Sequence, residues 1–122
     1  MSNIDWNQLI TKEMKIAAAA AQVLAAAKLE LATRNSAAAA QIVRIQDRID
    51  TLGYGIEAGE ATDEDVAEAD ALTINLKAWK AYKFQLGKVT AQSTWYQAPV
   101  WPVIPAIPII AASPMMRSDS AI

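Results

Sequence analysis

The stretch Leu76-Lys77-Ala78-Trp79-Lys80-Ala81-Tyr82-Lys83-Phe84-Gln85-Leu86-Gly87-Lys88-Val89 contains three of the chain's eight aromatic residues within six positions. Its large apolar residues recur at the spacing of one helix face, and lysines lie beside that face at every third position. Gly87 follows as a helix stop signal. The rest of the chain is mostly alanine, charged residues or proline, so we predict that the core is anchored in this helix.

The composition sets limits on the kind of protein. The chain has 122 residues, enough for one small domain, and it contains no His and no Cys. It therefore lacks the commonest acid–base residue, thiol nucleophiles, disulfides and the usual zinc ligands. Apolar residues make up 53% of the chain, but many of them are alanine, so we expect a thin core that needs a partner or self-association. The net charge of −2 gives no general attraction to nucleic acid or to anionic membranes.

The sequence shows no recognisable catalytic pattern. Asp63, Glu64 and Asp65 fall on different faces of a predicted helix, which favours helix capping over joint metal binding. The Gly53-Tyr54-Gly55 sequence lacks the strand and helix context of a phosphate-binding loop. We therefore predict a protein that is not an enzyme and that has no cofactor, metal site or nucleic-acid partner.

A long first helix is predicted at about 12–52, because this range contains no Gly or Pro and is rich in alanine. Thr11 is its expected N-cap and Gly53 the residue after its end. Apolar residues repeat every seven positions, as in a coiled-coil seam, but Lys28 and Asn35 interrupt one line of it. Two interpretations stay open: the seam drifts or the helix bends there, or the polar residues fix the register of an oligomer.

A second helix is predicted at about 63–86, with Thr62 as N-cap and Asp65 in the position of a capping box. A loop of some ten residues would let it fold back antiparallel on the first helix. Arg44 and Arg48 would then lie near its acidic start. The fold class is therefore an all-α helical hairpin over residues 1–89. Its expected core consists of Leu24, Leu31, Ile42, Ile45, Ile49, Leu52, Leu72, Leu76, Trp79, Tyr82 and Leu86.

Residues 90–122 are predicted to form an extended arm with a loose tail from Ser113 to Ile122. Prolines recur every third residue, which is the period of polyproline II, and apolar residues separate them. This arm either covers the hairpin as its missing core or binds a partner. The expected partner-binding residues are Trp95, Tyr96, Pro99, Trp101, Pro102, Ile104, Pro105, Ile107 and Pro108.

The longest apolar run is Ile16–Ala27, which only Gln22 interrupts. It is shorter than the roughly 20 residues that span a bilayer. Acidic residues precede it where a signal peptide would be basic. We therefore expect neither a membrane span nor a signal peptide.

The sequence resembles the C-terminal region of bacteriophage tail fibre assembly proteins. The resemblance lies in Gly59-Glu60-Ala61-Thr62-Asp63-Glu64-Asp65, in the helix with Trp79-Lys80-x-Tyr82, and in Trp101-Pro102. It covers about residues 10–102. A β-rich N-terminal domain that longer relatives carry is not found in this sequence, and the proline-spaced arm continues beyond the point where they usually end.

The resemblance implies a non-catalytic chaperone that binds a phage tail fibre or receptor-binding protein in the host cytoplasm during assembly. In some relatives the chaperone stays on the mature fibre. The alternative is a permanent structural subunit of the fibre or baseplate, retained on the virion tail. A homo-oligomer is compatible with both. A membrane-active amphipathic peptide is a third hypothesis, which the weak alanine face and the acidic loop disfavour.

Overall fold

A computed structural model of the chain describes residues 3–110, with the side chains of Leu9 and of residues 11–110. Two α-helices, α1 (Asn3–Glu57) and α2 (Asp63–Leu86), are followed by a short 3-10 turn at Val89–Ala91 and an extended segment. The described residues contain no strand. The predicted all-α hairpin with an extended arm is confirmed, and the predicted tail at 113–122 lies outside the described residues.

The first helix is longer at both ends than the sequence indicated. It is already helical at Asn3, so Thr11 is an interior residue, and it continues through Gly53 and Gly55 to Glu57. A glycine costs a helix only about 1 kcal/mol, so two of them do not end one that packs against a neighbour. The prediction that Gly53 follows the end of the helix was therefore wrong.

Gly59 ends α1 instead. It has a φ of 72°, in the left-handed region that favours glycine. The N–H of Glu60 donates to the carbonyl of Gly55 at 2.9 Å, and the N–H of Gly59 donates to that of Ile56 at 3.1 Å. This pair of bonds is a Schellman motif, which satisfies carbonyl groups that the helix end would leave unpaired.

The second helix has the bounds that the sequence predicts. The N–H of Asp65 donates to Thr62 Oγ1 at 3.1 Å, and the N–H of Thr62 donates to Asp65 Oδ2 at 2.9 Å, which completes the capping box. At the other end the N–H of Gly87 donates to the carbonyls of Lys83 and Phe84. A Cβ at Gly87 would lie 3.2 Å from the Phe84 carbonyl oxygen, so a tight turn there favours glycine.

The two helices pack antiparallel, since Arg48 contacts Glu68 while Arg34, two heptads earlier, contacts Tyr82. Trp79 is at the centre of the core, with its ring edge-on to that of Tyr82 at 5.5 Å between centroids. Of the expected core residues, those buried are Ile45, Leu52, Leu72, Leu76, Trp79, Tyr82 and Leu86. Those half-buried are Leu24, Leu31, Ile42 and Ile49. Ala38, Ala69 and Ile110 complete the cluster.

The helix is not interrupted at the polar positions that break the heptad line. Asn35 lies inside α1, where its Oδ1 accepts a hydrogen bond from Lys83 Nζ at 3.4 Å, and Lys28 is exposed. Asn35 therefore belongs to the edge of the contact between α1 and α2.

The helix α1 extends well beyond the hairpin, because it has 55 residues against 24 in α2. Its first buried residue is Ala27, among the described side chains. By length and composition alone, the segment Thr11–Glu57 could cross a membrane. The expectation of no membrane span rests on the shorter run Ile16–Ala27 alone. Signal sequences and the core helices of soluble proteins share these properties, so they do not by themselves indicate a membrane span.

Candidate functional site

The chain reverses direction after α2 in a compact turn. The side-chain amide of Gln92 donates to the Val100 carbonyl at 2.7 Å and accepts from the Val100 N–H at 2.8 Å. Tyr96 lies within this turn with a φ of 56°, a left-handed conformation that costs a non-glycine residue roughly 1–2 kcal/mol. Residues 90–98 belong to this turn and are not extended as predicted. Residues 99–110, which we call the arm from here on, run back along the hairpin and antiparallel to α2.

Three side chains of the hairpin bind carbonyl groups of the arm. Trp79 Nε1 and Asn75 Nδ2 both donate to the Ala106 carbonyl at 3.0 Å, and Arg44 Nη2 donates to the Pro108 carbonyl at 2.5 Å. Proline has no N–H, so a proline-spaced segment offers mainly acceptors, and the hairpin supplies matching donors. These bonds hold the arm by its backbone, whatever its outward side chains are.

Trp101 fixes the start of the arm through a contact with Arg34. The Arg34 guanidinium carbon lies 4.7 Å from the centroid of the Trp101 ring, a cation–π arrangement. The same guanidinium donates to Glu30 at 2.7 Å and to the Tyr82 hydroxyl at 3.4 Å. Burial lowers the pKa of Arg34, but the hydrogen bonds with Tyr82 and Glu30 outweigh it and the pKa is raised. Arg34 is therefore a permanent cation between both helices and the arm.

The arm has two sides that differ in burial. The side toward the hairpin consists of Pro99, Trp101, Pro102, Pro105 and Pro108, all half-buried, and the buried Ile110. The side toward solvent, which we call the outer face, consists of the exposed residues Val100, Val103, Ile104, Ile107 and Ile109. Five β-branched aliphatic side chains are thus held in an extended row on the surface.

The expected partner-binding residues are divided between these locations. Trp101 and the four prolines lie on the side of the arm toward the hairpin, whereas Ile104 and Ile107 belong to the outer face. Trp95 and Tyr96 are half-buried in the turn. Three residues of the outer face, Val100, Val103 and Ile109, are apolar spacers between the prolines that the list of expected partner-binding residues leaves out.

An open cleft of about 470 Å³ lies between the outer face and α2. Ala78 and Ala81 line it together with Tyr82 and Gln85, and Val103 and Pro105 of the arm close the other side. Because alanine side chains are small, the space beside Val103 is large enough for an apolar side chain of another molecule.

The two arginines expected near the acidic start of α2 behave differently. Arg48 forms a bidentate pair with Glu68, at 2.8 and 3.1 Å, and this hydrogen bonding raises the pKa of Arg48. Arg44 binds the arm instead. Within the described part of the chain, no group of three or more acidic side chains is placed to hold a metal ion.

Comparison of the chain with protein-family models, with curated proteins and with solved structures gives no match. The resemblance to tail fibre assembly proteins therefore depends on the quoted residues alone.

Proposed function

We propose that this chain is a non-catalytic phage tail fibre assembly protein that binds its tail fibre or receptor-binding protein through the outer face. The order of the acidic helix start, the Trp-Lys-x-Tyr helix and the Trp-Pro element supports the choice of client. The exposed aliphatic row supports binding through the arm.

The outer face is the single observation that carries this proposal. Its five side chains are aliphatic and exposed within ten consecutive residues, and exposed apolar surface of this kind marks interaction sites. The backbone beneath them is already fixed by Trp79, Asn75 and Arg44, so little conformational entropy is lost when a partner binds. The adjoining cleft offers a place for an anchoring side chain of the client.

The test is co-purification with the tail fibre protein of the same phage. Val103→Glu combined with Ile107→Glu places two charges on the outer face, and we expect the yield of the complex to fall at least about tenfold, which corresponds to 1.4 kcal/mol. Val43→Glu combined with Ile74→Glu is the matched control, since these residues are also exposed but lie on the helices. Equal yields from the two variants would refute binding through the outer face.

The composition of purified virions distinguishes an assembly factor from a structural subunit. A chaperone that leaves after assembly is found in lysates of the host cytoplasm and not in particles. A fixed number of copies per particle would favour the alternative, a permanent subunit of the tail.

A further inference from the structure

The first part of α1 carries an apolar face that the described chain leaves uncovered. Leu9, Ile16 and Val23 recur every seven residues on one side of the helix and are 45, 60 and 42% exposed. Ala17 and Ala20 lie beside them on the same side, also exposed. Lys15 and Gln22 project from the opposite side. No described part of the chain packs on this row of large apolar side chains.

This face continues the surface on which α2 packs. Ala17 and Leu24 belong to the same seven-residue line as the buried Ala38 and Ile45. The described side chains of α1 are exposed up to Val23, and Leu24 is half-buried. From Ala27 onward α1 contributes buried residues. Among the described side chains, the seam thus extends beyond the hairpin from Val23 back to Leu9, or about 20 Å of helix.

We infer that a second copy of this chain covers the face, packed antiparallel to the first. A second copy brings a face of the same length and apolar width, and alanines at the contact let two helix backbones approach closely. In a parallel pair both copies of α2 would occupy the space between the two α1 helices, because α2 lies on this side of α1. An antiparallel pair avoids that collision, since each hairpin then lies beyond the other copy's N-terminus.

The charged residues beside the face, Lys12 and Glu13, also favour this arrangement over a lipid surface. In an antiparallel overlap of residues 9–23, Glu13 lies opposite Ala19 and Ala20, whose small side chains leave the carboxylate in contact with water. Insertion of the same face into a bilayer would place that carboxylate in hydrocarbon, which is costly. The inference concerns the isolated protein and does not depend on the identity of a client.

The test is the mass of the full chain in solution, measured by light scattering and sedimentation. We expect twice the chain mass, and the mass of one chain for Ala17→Glu combined with Ala20→Glu, with an unchanged hairpin melt. Ala18→Glu combined with Gln22→Glu is the matched control, because it adds two glutamates at exposed positions on the side of the helix away from the face. This control should remain a dimer.

The orientation is tested by cross-linking, which the absence of native cysteine makes direct. When Leu9→Cys and Val23→Cys proteins are mixed and oxidised, an antiparallel pair joins position 9 to position 23. Cross-links only between identical positions would overturn the antiparallel arrangement. A single-chain mass at all concentrations would overturn the dimer, with or without binding to phosphatidylcholine–phosphatidylglycerol vesicles. A dimer that both double variants leave intact would also overturn the assigned face.

Discussion

At the scale of single residues, the thin core makes a few side chains decisive. Ile45 is 0% exposed and Val43, two positions earlier, is 68% exposed. We expect Ile45→Asp to lower the free energy of unfolding by more than about 4 kcal/mol, because it buries a carboxylate that has no partner. Val43→Asp should change it by about 0.5 kcal/mol or less. Thermal melts followed by circular dichroism compare the two, and equal melts would contradict the buried seam.

Trp79 joins three parts of the molecule, since it packs between the helices, contacts Tyr82 and binds the Ala106 carbonyl. We expect Trp79→Ala to cost about 3–5 kcal/mol of unfolding free energy. Trp79→Phe keeps an aromatic ring but loses the indole N–H, so its loss should be smaller. Denaturant unfolding measures both, and an alanine variant that stays within about 1 kcal/mol of the parent would exclude a central role for Trp79.

At the scale of elements, the packing of the arm on the hairpin can be tested with two adjacent isoleucines. Ile110 is 2% exposed and belongs to the core, whereas its neighbour Ile109 is 83% exposed. Ile110→Ala should therefore cost about 2–5 kcal/mol of unfolding free energy, and Ile109→Ala about 0.5 kcal/mol or less. The comparison uses chemical denaturation of otherwise identical chains. Equal effects would mean that the arm does not occupy this position in solution.

The elements also show how far sequence reasoning could go. The bounds of α2 were predictable because Thr62, Asp65 and Gly87 are local signals that act within one helical turn. The end of α1 was not, because Gly53 and Gly55 are tolerated inside a helix that packs on α2, and of these three glycines only Gly59 adopts a left-handed conformation. The side of the arm that faces the hairpin depends on donors from distant residues such as Arg44 and Asn75. A three-residue period alone does not contain that information.

At the scale of the whole molecule, the hairpin and the first part of α1 are energetically separate. The exposed residues 11–23 contribute no buried side chain to the core. We therefore expect a chain lacking residues 1–22 to keep the melting temperature that the full chain has at low concentration. The melting temperature of the full chain should rise with protein concentration, because association stabilises the folded state. The melting temperature of the truncated chain should not depend on concentration. A large loss of stability in the dilute truncated chain would show that this segment packs on the hairpin.

The way in which the hairpin holds the arm has a consequence for divergence among related sequences and for engineering. Its donors meet carbonyl oxygens, which every amino acid possesses, so folding places little demand on the identity of the five outward residues. Substitutions there would change what the protein recognises before they change whether it folds. A library randomised at these positions, with the prolines and Trp101 kept, would therefore be rich in folded variants with new binding preferences.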